Sequence, residues 1–90
     1  MRAAKADLNQ REVVAALRKV GASVFSLHRV GQGCAELLVG FRGRTYLIEV
    51  KSKTGHLTPA QDRFIEGWTG DIVHVVRDVE GALRAIGAIR

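Results

Sequence analysis

The stretch Glu36-Leu37-Leu38-Val39-Gly40-Phe41-Arg42-Gly43-Arg44-Thr45-Tyr46-Leu47-Ile48-Glu49-Val50-Lys51 decides the fold. Two β-prone runs flank Arg42-Gly43, and a two-residue turn there makes them a hairpin. Phe41 then pairs with Arg44, and the register carries back to Glu36 opposite Glu49. Cross-strand partners share a face with Cβ atoms about 5 Å apart. Side chains repeat every second residue, so Lys51 joins that face, as do Leu38 and Leu47. Two carboxylates facing each other repel. A divalent cation and a neighbouring lysine would offset that repulsion, so Glu36, Glu49 and Lys51 form the candidate site. The bland alternative is a solvated sheet face bearing a Glu–Lys pair.

Working outward, Val13, Val14, Leu17 and Val20 recur at helical spacing. A first helix is expected from Asn9 to Lys19, with Asn9 as N-cap, Glu12 completing a capping box and Gly21 as the stop. A strand over Ser23–Arg29 follows, with Phe25 and Leu27 on one side, and Gly31-Gln32-Gly33-Cys34 makes a loop. Beyond the hairpin, Ser52–Leu57 reads as an exposed loop. Thr58-Pro59-Ala60-Gln61 opens a second helix, with Thr58 as cap, proline at the first position and Gln61 at the third. Asp71–Val76 is a fourth strand, and Asp78 caps a last helix carrying Val79, Ala82, Leu83 and Ile86. The order is helix, three strands, helix, strand, helix. A helix between the third and fourth strands makes them parallel. The fold class is α/β: a mixed four-stranded sheet flanked by helices, in one domain spanning 1–90 with its core over 9–86.

Ninety residues with 47% hydrophobic content suit one small domain with a modest core. The net charge of +5 suits a polyanionic partner, nucleic acid first. The single cysteine, Cys34, excludes an internal disulfide and fits a reducing cytoplasm. No apolar run approaches the length of a membrane span, and Met1–Asp7 lacks the apolar core of a secretory signal. The 6% aromatic content supplies no platform for stacking RNA bases.

Carboxylates on adjacent strands suit a hard cation such as Mg²⁺, which takes oxygen ligands and keeps several waters. The matching chemistry is phosphodiester hydrolysis, with Lys51 offsetting charge that grows on the phosphate. Lys53, beside the site, is the best single phosphate contact, with Arg63 and His56 as further ones. Arg42 and Arg44 lie at the far end of the hairpin and read as solvated turn charges. His28, His56 and His74 are not at metal-ligand spacing. His74 reads as a core histidine, Trp68 as core or dimer surface, and Cys34 as a small buried residue rather than a nucleophile.

The runs Gly33–Gly40, Arg44–Lys51 and Leu57–Gln61, in this order of elements, resemble the PD-(D/E)xK nuclease superfamily. Within it they look like the small phage-type branch of the VRR-Nuc (virus-type replication-repair nuclease) family, over about Asn9 to Ile86. The resemblance implies a restriction-endonuclease-like fold and a Mg²⁺- or Mn²⁺-dependent endonuclease. It makes Glu36 and Glu49 metal ligands, the Val50 carbonyl a third, and Lys51 the catalytic lysine. It brings Glu12 toward the metal or its waters and makes Gln61 a polar residue that orders the site. It also implies a homodimer acting on branched DNA, as Holliday-junction resolvases do, in a bacterial or phage-infected cytoplasm. One departure stands out: Ala35-Glu36 replaces the family's Pro-Asp, so the first acid is one methylene longer. That substitution favours the alternative reading, a catalytically silent nuclease-fold module that binds DNA or a partner protein.

Overall fold

The computed structural model describes residues 5–90, with side chains from residue 8 onward. The reading of Met1–Asp7 as free of a secretory signal lies outside the described side chains. The chain runs α1 (Lys5–Lys19), β1 (Ser23–Ser26), a 3-10 turn (His28–Val30), β2 (Leu37–Phe41), β3 (Arg44–Val50), α2 (Pro59–Gly67), β4 (Val73–Val76) and α3 (Val79–Ala85). The sheet order is β1-β2-β3-β4, antiparallel up to β3 and parallel between β3 and β4. This is the mixed, helix-flanked α/β architecture expected from the motifs.

The hairpin has the expected turn and register. Arg42 and Gly43 have φ of 51° and 80°, the two positive values that a tight right-twisted hairpin requires. Phe41 pairs with Arg44, and the ladder runs back to Leu37 opposite Ile48. The Arg42 guanidinium lies 4.7 Å from the centre of the Phe41 ring, which steadies a residue held in the left-handed region. Arg42 and Arg44 are exposed, as expected of turn charges.

Alternation along the strands sorts the side chains. Val24, Leu37, Val39, Phe41, Ile48, Val50 and Val76 point to one face, where Val13 and Leu17 of α1 and Ala82 and Ile86 of the α3 region complete the core. Each such aliphatic side chain contributes about 1.5–3 kcal/mol by leaving water. The opposite face carries Phe25, Leu38 and Leu47 in one row. It is only partly covered. Trp68, Asp71 and Ile72, which follow α2, border a hollow of about 240 Å³ with Thr45 and Leu47. No side chain of α2 itself is buried.

Four expectations need correction. Helix α1 starts at Lys5, so Asn9 is an interior residue rather than its cap, and Glu12 has no capping box to complete. The Asn9 amide is engaged instead by carbonyls far along the chain. Strand β1 ends at Ser26, because the Ser26 hydroxyl accepts a hydrogen bond from the His28 amide at 3.2 Å and turns the chain. Its inward residue is Val24, while Phe25 is 67% exposed. Strand β4 begins at Val73; the chain bends at Gly70 and Asp71, and the Asp71 carboxylate accepts from the Ile72 amide at 2.8 Å.

The stops and caps hold elsewhere. Gly21, with φ of 98°, donates to the Arg18 carbonyl, and Ala22 to that of Leu17, which closes α1. Thr58 and Gln61 form a reciprocal capping box at the start of α2, and the Asp78 carboxylate accepts from the Gly81 amide at the start of α3. His74 is half-buried, with its ring 5.9 Å from that of Tyr46. Trp68 is exposed and stacks on Phe64.

Candidate active site

The site lies at the open end of the β2–β3 hairpin, opposite the turn. The ladder's last pair is Leu37 with Ile48, so the next pair in register is Glu36 with Glu49. Glu36 stands one residue before β2. Its carbonyl accepts from the Leu27 amide at 2.7 Å, which carries the β1–β2 pairing one step further and fixes its backbone. Glu36 is half-buried and Glu49 is 2% exposed.

Glu49 is the anomaly of the molecule. It is the buried charged residue among the described ones, and its Oε1 has no hydrogen-bond partner. A buried carboxylate oxygen without a partner costs folding free energy. Burial pushes the Glu49 carboxyl up to about 7, the neighbouring Glu36 charge adds to that rise, and Lys51 pulls the other way. Both neighbours therefore act on Glu49, as the hairpin register leads one to expect. Lys51, half-buried, follows β3 directly, and its amide donates to the Val76 carbonyl of β4 at 2.9 Å. In a trans peptide the carbonyl points opposite to the N–H. The Val50 carbonyl is thereby turned away from β4, toward the side on which β2 runs, while its side chain stays in the core.

The loop before Glu36 rests on the start of α2. Gly33, with φ of 76°, is so close to α2 that a Cβ there would overlap the Ala60 carbonyl and come within 2.8 Å of the Gln61 nitrogen. Cys34 is half-buried in this loop. Burial, with the Glu49 and Glu36 charges, pushes its thiol up, so it is no ready nucleophile.

The remaining candidates are more dispersed. The Gln61 Oε1 accepts from the Thr58 amide at 2.9 Å, so that oxygen is committed to the cap. Glu12 is exposed on α1 and makes no hydrogen bond or ion pair among the described residues. The charges acting on Glu49 are those of Glu36 and Lys51. Lys53, His56 and Arg63 are exposed on the loop after β3 and on α2. Among the described residues, no three His, Cys, Asp or Glu side chains gather as a metal cluster. The donor set is thus two carboxylates and a backbone carbonyl. All are oxygens, as a hard cation prefers. The partnerless Oε1 of Glu49 is what such a cation would satisfy.

Two residues that hold this region were not legible from local sequence. The Asn9 side chain donates to the carbonyls of Lys51 and Arg77 at 2.8 and 3.0 Å. The Arg77 guanidinium donates to those of Ser52 and Gly55 at 2.7 and 2.6 Å. Asparagine inside a helix, where it is a poor former, was the available signal for the first; the second had none.

This arrangement of sheet, helices and paired acids is that of a nuclease-type α/β fold. Comparison with family models and with curated proteins gives no match. Among solved structures, a chain described as a VRR_NUC domain superposes with a TM-score of 0.78 at 26% identity, covering 98% of this chain and 100% of the other. A likeness running the full length of both chains supports membership of the VRR-Nuc family, the family that the motifs resemble.

Proposed function

We propose that this chain is a Mg²⁺- or Mn²⁺-dependent endodeoxyribonuclease that acts as a homodimer on branched DNA, such as a four-way junction. The observation that carries the reading is Glu49, sealed from solvent, with one oxygen lacking any partner and Glu36 as its charge neighbour. Glu36, Glu49 and the Val50 carbonyl would hold the cation. When bound, it would supply Lewis-acid stabilisation to the phosphodiester. Lys51 offsets charge growing on the phosphate in the transition state. Glu12 and Gln61 act from further out. Lys53, Arg63 and His56 hold flanking phosphates, and the net charge of +5 favours the encounter with a polyanion. One chain holds one site, and two symmetric cuts need two. No helix among the described residues is long and apolar enough to cross a membrane. The bacterial or phage-infected cytoplasm is the proposed setting.

The test is cleavage of a labelled four-way junction and of matched linear duplex, with Mg²⁺, Mn²⁺ or chelator, by wild type, Glu49→Ala and Lys51→Ala. The expected result is metal-dependent cutting of the junction by wild type alone. Tight junction binding without cutting would instead establish the silent-module reading, for which the Glu36 replacement of aspartate is the specific observation. Sedimentation of the wild type in the same buffer checks the dimer.

A further inference from the structure

Asn9 and Arg77 lie far apart in sequence, on α1 and just after β4, yet both reach the segment that leaves the candidate site. Each uses one nitrogen with two hydrogens to join two carbonyls. The Asn9 Nδ2 meets Lys51 and Arg77, and the Arg77 Nη1 meets Ser52 and Gly55. Because both Asn9 partners are carbonyls, its nitrogen rather than its oxygen must face them. The Lys51 amide is already tied to the Val76 carbonyl, so both the N–H and the C=O of Lys51 are held. The same amide bond orients the Val50 carbonyl. The Gly55 amide returns to the Ser52 carbonyl at 3.2 Å, which makes 52–55 a turn that Arg77 grips from outside.

Two features say that this is more than incidental packing. Asparagine is less favourable than alanine inside a helix, and here that cost is met by two long-range hydrogen bonds. Arg77 forms no ion pair among the described residues, where the ion pair is Arg84 with Glu80. Its guanidinium serves backbone carbonyls.

We propose that Asn9 and Arg77 are positioning residues that lock the backbone from Lys51 to Gly55, and so aim the Lys51 ammonium at the phosphodiester and the Val50 carbonyl at the cation. The catalytic half of this statement rests on the nuclease reading above. The clamp itself does not.

The experiment compares Asn9→Ala, Arg77→Ala and Arg77→Lys with Arg84→Ala as the control. It measures single-turnover cleavage, junction affinity in chelator, and amide hydrogen exchange over 51–55. Arg77 is exposed, so its replacement leaves the core intact even if Asn9→Ala folds poorly. The expected result for Arg77→Ala is a cleavage rate lower by about ten-fold or more, since small misplacements of reacting groups are costly. Junction affinity should stay within about two-fold, because no phosphate contact is lost. Exchange over 51–55 should quicken by about ten-fold. Arg77→Lys should recover part of the rate, and Arg84→Ala should match wild type. Unchanged exchange in Arg77→Ala would overturn the clamp. A loss of affinity equal to the loss of rate would also overturn it, and would make Arg77 a phosphate contact. If wild type cuts nothing with any metal, the nuclease reading fails, and the exchange data alone uphold or overturn the clamp.

Discussion

Ile48 and Glu49 are neighbours in β3 and almost equally sealed from solvent, at 0% and 2% exposure. They face opposite sides of the sheet. Ile48 enters a core of apolar side chains from α1, α3 and four strands. Glu49 is buried as deeply with an oxygen left without a partner and a second carboxylate for company. One position stabilises the fold. The other costs stability, and a cost retained at one residue of a small domain points to function.

The largest contrast is in activity. Glu49→Gln keeps the shape of the side chain and removes its charge. It should cut cleavage by about 10³-fold, the loss of roughly 4 kcal/mol of transition-state stabilisation, with the fold intact by circular dichroism. Ile48→Ala should do the reverse, with urea melts showing a loss of about 2–5 kcal/mol.

A pH series in chelator sharpens the difference. The Glu49 pKa is raised from 4.5 to about 7 in the folded chain, so folding favours its protonated form. Its contribution to stability is fully present below pH 4.5 and is lost as pH rises through about 7. Metal-free wild type should therefore melt about 10 °C lower at pH 8 than at pH 5, after subtraction of the same series on Glu49→Gln, which lacks this group.

Smaller effects come from the supports of the site. Gly33→Ala forces a Cβ into the Ala60 carbonyl at a positive φ, and should cost about 1–3 kcal/mol in urea melts while slowing cleavage. Thr58→Ala removes the α2 cap and should cost about 1 kcal/mol with little effect on rate.

The parts of this contrast that were legible in sequence share one property: their causes are local. Arg42-Gly43 sets the turn, the turn sets the register, and the register brings Glu36 toward Glu49. Thr58-Pro59 and Asp78 announce helix starts through bonds only three residues long. The misread parts depend on distant partners. Asn9 looks like a cap because asparagine has a short-range use at helix starts, and only the folded chain brings the Lys51 and Arg77 carbonyls to it. Ser23-Val24-Phe25-Ser26 alternates equally well either way up, and packing in the core puts Val24 inward and leaves Phe25 exposed. The lone Oε1 of Glu49 is a property of packing on that face, which no pattern of residue types encodes.

Calorimetric titration with Mn²⁺ tests most directly whether the Glu36–Glu49 pair holds a divalent cation. One site per chain is expected in wild type, lost in both Glu36→Gln and Glu49→Gln. Equal binding by wild type and Glu49→Gln, or none by wild type, would contradict a cation held by that pair.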